Sequence, residues 1–292
     1  MSMKVHGGVS CAGAGDPRGA RRRGWRAIVA AVLVGLLPLF GCGTSTPSAE
    51  VPAQGGGESA SDSAAPDWDL VLMGDSVLLQ PSGALVRRLE GELGVNLQLS
   101  DWINPDLSKY ASGGERSADL VARLRTDEEL RQDLRDAEII VFDVPLGILN
   151  DVCPGEPGAL TVEEQASCFD EAVALYKSDV EAAFEELVAL RDPADAMIRV
   201  TDVWQFFYPT FVAAGTYDVV RPRWQEMNQA VHAQADRYGI PLVPSYEEFS
   251  GPDGDRDPVA SGDVQDDQVH LSQQGVDRFV DLLISDGFEP VG

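Results

Sequence analysis

Trp68-Asp69-Leu70-Val71-Leu72-Met73-Gly74-Asp75-Ser76 is the stretch on which the fold turns. A short apolar run, bounded by turn residues, reads as a buried strand. It stops at a glycine, an acid and a hydroxyl. Next, Ala84 to Gly94 carries Leu85, Leu89 and Leu93 at helical spacing. A buried strand followed by a short turn and an amphipathic helix is the opening half of a strand–helix–strand unit.

The same alternation continues outward. Val95 to Leu99 reads as a second strand and Ser117 to Arg135 as a helix. Glu138 to Val144 is a third strand, followed by a long helix from Thr161 to Leu190 with Val173, Tyr176, Val180, Phe184 and Leu187 on one face. Met197 to Val203 is a fourth strand, Arg223 to Tyr238 a helix, Ile240 to Val243 a fifth strand and Gln273 to Ser285 a last helix. Strands that alternate with helices imply right-handed crossovers and a parallel sheet covered on both faces. The expectation is a three-layer α/β/α sandwich around a five-stranded parallel sheet. In such sheets the site lies beyond the carboxyl ends of the strands.

Charge and cysteines narrow the class. The chain of 292 residues has 22 basic and 48 acidic residues, a formal net charge of −26. Such a field repels phosphate backbones, so nucleic acid is not an expected partner. Cys153 and Cys168 enclose a segment with Pro154, Gly155, Pro157 and Gly158. In an exported chain an isolated pair of this kind reads as a disulfide. Beyond the N-terminal segment only His232 and His270 remain as histidines, too few for the usual metal sites. No metal and no cofactor are expected. His232 lies mid-helix among Gln, Ala and Asp and reads as an exposed structural histidine.

The residues that carry chemistry fall at one end of this map. Ser76 follows the first strand, Gly113-Gly114 the second, Asn150 the third, and Asp267 and His270 precede the last helix. A serine hydroxyl is a weak nucleophile until a base takes its proton. A histidine does this when an acid fixes its tautomer and stabilises the imidazolium. Asp267 and His270, three apart in a turn, can meet in that way. A tetrahedral intermediate then needs donors for its oxyanion. Ser76 at a helix start, a glycine free of side-chain bulk and the Asn150 amide can supply them. The Gly-x-Ser-x-Gly elbow of the α/β-hydrolases does not surround Ser76. Trp204, Phe206, Phe207 and Tyr208 form an aromatic cluster after the fourth strand. They are open to two readings: the wall of an acyl or sugar pocket, or packing under the last helix.

These blocks resemble the SGNH, or GDSL, hydrolase family. Gly74-Asp75-Ser76 is similar to its first block, Gly113 to Leu120 to its glycine block, Leu146 to Asp151 to its Gly-x-Asn-Asp block, and Asp267 to His270 with Leu271 and Gly275 to its last. The order is kept across the folded region. In the third block Gly147 stands one residue further from Asn150 than the pattern has it, with Ile148 in the usual place. The resemblance implies a flavodoxin-like fold. It makes Ser76 the nucleophile, His270 the base and Asp267 its orienter. The N–H groups of Ser76 and Gly114 (or Gly113) and the side chain of Asn150 would form the oxyanion hole.

The N-terminus reads as a targeting segment. Arg21-Arg22-Arg23-Gly24-Trp25-Arg26 precedes an apolar run from Ala27 to Phe40, and Leu39-Phe40-Gly41-Cys42 resembles a bacterial lipobox. The expected organisation is a lipoprotein signal peptide over 1–41, a flexible tether over 42–66 and the hydrolase domain over 67–292. Cys42 would carry the lipid and tie the chain to a membrane. The tether is Gly, Ser, Thr, Ala and Pro with a few acids, and a chain of its length spans roughly 25–30 Å. The expectation is therefore a bacterial cell-envelope protein, extracytoplasmic and lipid-anchored or secreted. Its expected activity is cleavage of carboxylic esters through an acyl-enzyme. The absence of a long apolar insertion near the site favours small or carbohydrate-borne acyl groups. Two alternatives stay open: a surface binding module of the same fold without turnover, and a glycan O-acyltransferase.

Overall fold

The computed structural model describes residues 65–101, 114–285 and 287–288. Five strands, β1 (Asp67–Met73), β2 (Asn96–Asp101), β3 (Ile139–Phe142), β4 (Met197–Thr201) and β5 (Leu242–Val243), form one sheet in the order β2-β1-β3-β4-β5. Every pairing is parallel. The central strands are continuous apolar runs because both of their faces are covered. Leu70 to Met73 and Ile139 to Phe142 are buried throughout.

Helices α1 (Ser76–Leu79) and α2 (Ser82–Leu93) link β1 to β2. Helices α3 (Ser117–Thr126) and α4 (Glu128–Asp136) precede β3, and α5 (Ile148–Val152) and α6 (Val162–Leu190) follow it. Helices α7 (Tyr208–Ala214) and α8 (Tyr217–Tyr238) join β4 to β5, with α9 (Ser245–Ser250) and α10 (Gln273–Ile284) behind. The sheet starts in the middle and grows both ways. Right-handed crossovers therefore put α2 on one face and α3, α6 and α8 on the other. The contacts agree, since α10 packs on α2 while α6 packs on α3, α5 and α8. The order 2-1-3-4-5 reverses between β1 and β3, and a crevice opens at that reversal.

The predicted five-stranded parallel α/β sandwich is the observed one. Its boundaries move for local reasons. The helix expected over 117–135 is two helices, because Asp127 turns extended and its side chain accepts the N–H of Leu130 at 3.3 Å to cap α4. The helix expected from Arg223 starts earlier, at Tyr217, and carries Pro222 inside it. Helix α6 begins where Thr161 and Glu164 make a capping box. Cys153 and Cys168 are joined as a disulfide, and the bridge ties the end of α5 to the first turns of α6. The expected signal segment, lipid-bearing Cys42 and Gly113 lie outside the described residues.

Candidate active site

The site is built from two strand ends and one loop. β1 ends at Met73, and Gly74 takes φ +145, a conformation that favours glycine. A side chain there would also meet Asp143 Oδ1 at 2.2 Å. Asp143 follows β3 directly and is buried; its Oδ1 accepts the backbone N–H of Asp75 at 2.8 Å. This bond fixes the turn that delivers Ser76 to the crevice. Burial pushes the Asp143 carboxyl well above the usual range, and the neighbouring Asp75 adds to that. Asp75 is raised too, chiefly by burial, although hydrogen bonds from Ser76 oppose the rise.

His270 arrives on the loop before α10. Its Nε2 lies 3.1 Å from Ser76 Oγ, and its Nδ1 lies 2.7 Å from Asp267 Oδ2. With the Nδ1 proton donated to Asp267, the Nε2 lone pair is left to face the serine hydroxyl. The other oxygen of Asp267 accepts the N–H groups of Val269 and His270, each at 3.0 Å. Burial alone would raise the Asp267 carboxyl, but these bonds and that of the His270 ring hold it below its ordinary value. The serine–histidine and histidine–aspartate distances are those of a nucleophile, a base and its orienter within hydrogen-bond reach.

The turn between the acid and the base is forced through Gln268, a non-glycine residue at φ +65. Such backbone is costly and persists only when its surroundings hold it. Here Thr210 donates its hydroxyl to Gln268 Oε1 at 2.8 Å and Phe207 donates its N–H to Gln268 O at 3.1 Å. The indole of Trp204 donates to Val269 O at 3.1 Å. At the base of the loop, buried Asp263 accepts from Arg256 and Arg278, both at 2.7 Å. The sequence pattern gives no role to Gln268, Thr210 or Asp263. Their roles depend on contacts 58 residues apart or on a folded loop, which no local pattern announces.

The oxyanion donors are arranged less simply. Gly114 takes φ +73 and a side chain on it would meet Asp75 Oδ2 at 2.9 Å, so glycine is required where this loop nears Asp75. The displaced Gly147 also has a physical reason. A Cβ there would stand 2.4 Å from Glu115 O, while its N–H donates to that same oxygen at 3.1 Å. Arg116 and Leu146 form an isolated antiparallel bridge beside it. The glycine thus docks the Gly114 loop onto the loop after β3, and Asn150 follows on α5, lining the same cavity as Ser76, Gly114 and His270. The Ser76 N–H, expected to face the cavity, instead donates to Asp75 Oδ1 at 2.5 Å. The Ser76 hydroxyl also lies 3.0 Å from that oxygen. A buried carboxylate takes the nearest donors, and both belong to Ser76.

The aromatic cluster divides between the two expected roles. Trp204 is buried against Phe249 of α9 and Phe279 of α10, which is packing under the last helix. Phe206 and Phe207 line the cavity beside Ser76. His232 is only partly exposed and meets buried Asp202 at 2.8 Å, tying α8 to the end of β4 far along the chain from His270.

No family model matches the sequence, and a search of curated proteins finds no relative. Solved structures do resemble it. The lipase Lip_vut3 from a goat rumen metagenome superposes with a TM-score of 0.57 at 14% identity, over 78% of this chain and 100% of that one. Phospholipase A1 from Streptomyces albidoflavus NA297 does so with a TM-score of 0.53 at 14% identity, over 75% of this chain and 98% of that one. The chain has the SGNH hydrolase fold. At such identities the likeness is one of architecture, and the SGNH fold alone assigns no substrate. What it adds is that the ordered blocks of the sequence sit on the matching scaffold, with β1, β3 and the loop before α10 meeting at one crevice.

Proposed function

We propose that this chain is a serine ester hydrolase working through an acyl-enzyme. The observation that carries the reading is the meeting of Ser76 Oγ, His270 Nε2 and Asp267 at 3.1 and 2.7 Å on the wall of one cavity. Ser76 Oγ attacks the ester carbonyl as His270 Nε2 takes its proton. The imidazolium is stabilised by Asp267, whose lowered pKa keeps it ionised. The oxyanion is received by the Gly114 N–H and the Asn150 amide. The Ser76 N–H joins them only if it leaves Asp75. His270 then returns the proton to the departing alcohol oxygen. Water repeats the sequence on the acyl-enzyme and frees the acid.

Ser76→Ala should remove turnover of a nitrophenyl ester while the protein stays folded by circular dichroism. Unchanged turnover would remove Ser76 from the mechanism. The alternative of an inert binding module rested on the displaced Gly147, and the close packing of Gly147 on Glu115 accounts for that displacement without any loss of the site. Export and anchoring through Cys42 belong to the same proposal, supported by the lipobox-like stretch. Cys42→Ser should move the protein from the membrane fraction to the soluble one.

A further inference from the structure

The cavity beside Ser76 has a volume of about 300 Å³, far more than an acetyl group fills. A dry apolar cavity of about 150 Å³ holds benzene, so this one has room for on the order of ten non-hydrogen atoms. Its walls include Leu149, Leu160, Phe169, Phe207, Phe211 and Trp224. The segment from Cys153 to Leu160 contributes to the lining, and Gly158 lies close against Thr210 and Ala214 of α7. A short Pro/Gly-rich loop, closed by the disulfide, thus covers part of an apolar chamber. That is why no long apolar insertion was visible in the sequence.

Apart from Asp75 beside the serine, one buried side chain of the lining is polar, among Phe169, Phe206, Phe211 and Trp224. Gln165, on the first turns of α6, is 3% exposed. Among the described residues its Oε1 has no hydrogen-bond partner, and its Nε2 lies 3.8 Å from a disulfide sulfur, Cys168 Sγ. A buried polar atom left unpaired is destabilising, and in a binding pocket a lone polar group fixes the orientation of its ligand. The amide can turn by half a rotation, so it offers either an acceptor or a donor. A hydroxyl group satisfies both.

We propose that this chamber receives the acyl part of the substrate, a chain of roughly six to ten carbons that carries one hydroxyl hydrogen-bonded to Gln165. The reaction part of this statement rests on the ester-hydrolase reading above; the chain and its hydroxyl rest on the chamber alone. The substrate class is therefore an ester of a medium-length hydroxy acid, longer than the sequence suggested.

The full chain carrying Ser76→Ala, which cannot turn over, is titrated by calorimetry with methyl octanoate and with its monohydroxy positional isomers. One isomer is expected to bind about 10-fold more tightly than the plain ester, the gain of a made hydrogen bond and a satisfied buried amide. Adding Gln165→Leu should abolish that preference while plain methyl octanoate binds as well or better. Gln165→Met serves the same purpose should the leucine variant unfold. Equal binding of plain and hydroxylated chains, a preference that survives loss of Gln165, or no binding of any eight-carbon chain would overturn the inference. Labelling of the unmutated protein by a fluorophosphonate separates the two levels. A labelled Ser76 with no hydroxyl preference removes this inference alone, and an unlabelled Ser76 removes the ester-hydrolase reading.

Discussion

Asp143, just after β3, accepts the backbone N–H of Asp75, just after β1, at 2.8 Å, and its second oxygen is buried without a hydrogen-bond partner among the described residues. This carboxyl is placed where the turn into Ser76 needs an acceptor, at the expense of burying an acid beside two others, Asp75 and Glu115. Burial raises its pKa above the 3.8 of an ordinary aspartate. Between 3.8 and the raised value the folded state keeps a proton that the unfolded state has lost. The stability tied to Asp143 is thus fully present below 3.8 and is lost as pH rises through its folded pKa. Asp143→Asn keeps an oxygen for the Asp75 N–H and removes the charge. Thermal melts should show it more stable than the parent at neutral and alkaline pH, with the difference closing toward pH 4. A variant less stable at every pH would show that the acid itself is required.

Gly147→Ala tests the docking of the two loops. The added methyl would overlap Glu115 O, with no backbone strain at this glycine to confuse the outcome. Gly114 and Asn150 should shift relative to Ser76. Displacements of this size cost catalysis more than folding, so kcat should fall about 10- to 100-fold while stability drops by roughly 1–3 kcal/mol. An unchanged kcat would show that the oxyanion donors do not depend on this contact.

Asp267→Asn keeps the shape of the turn but offers His270 Nδ1 the wrong partner. The tautomer with its lone pair on Nε2 is then no longer favoured, and kcat should drop by about 10³- to 10⁴-fold. Asp267 lies below 3.8 in the folded chain, so its contribution to stability is complete above that value and is lost as pH falls through its own pKa. The parent should therefore show no loss of stability attributable to this carboxylate above pH 4, which thermal melts of the parent and Asp267→Asn across pH check.

Removing the disulfide tests the chamber wall. The bridge closes a 15-residue separation between α5 and α6, a loop length for which the chain-entropy model gives about 3 kcal/mol. Cys153→Ser with Cys168→Ser should lower the denaturation free energy by about that amount and weaken turnover of medium-chain esters more than of acetyl esters. Equal loss on both substrates would mean that the loop serves stability alone.

Much of this was legible in the residues because it is written in local patterns. Leu70 to Met73 and Ile139 to Phe142 announce buried parallel strands through unbroken apolar runs, and the strand ends then fix where Ser76 and Asn150 must lie. The Asp267 and His270 pair is legible because three residues in a turn suffice to join acid and base. What escaped was the long-range work. The helix break at Asp127 hinges on a side chain that chooses to cap. The left-handed Gln268 is held by Phe207 and Thr210 at the start of α7, the latter 58 residues earlier in the chain. The engagement of the Ser76 N–H by Asp75 follows from burial, which no sequence window measures. The chamber was missed because its cover is a short disulfide loop with no apolar stretch to mark it.

The most direct measurement treats the unmutated protein with a fluorophosphonate and maps the adduct by peptide mass spectrometry. A nucleophile made by the 3.1 Å approach of Ser76 and His270 predicts one stoichiometric adduct on Ser76, lost in His270→Ala. An unmodified Ser76, or an adduct on another serine, would contradict the account.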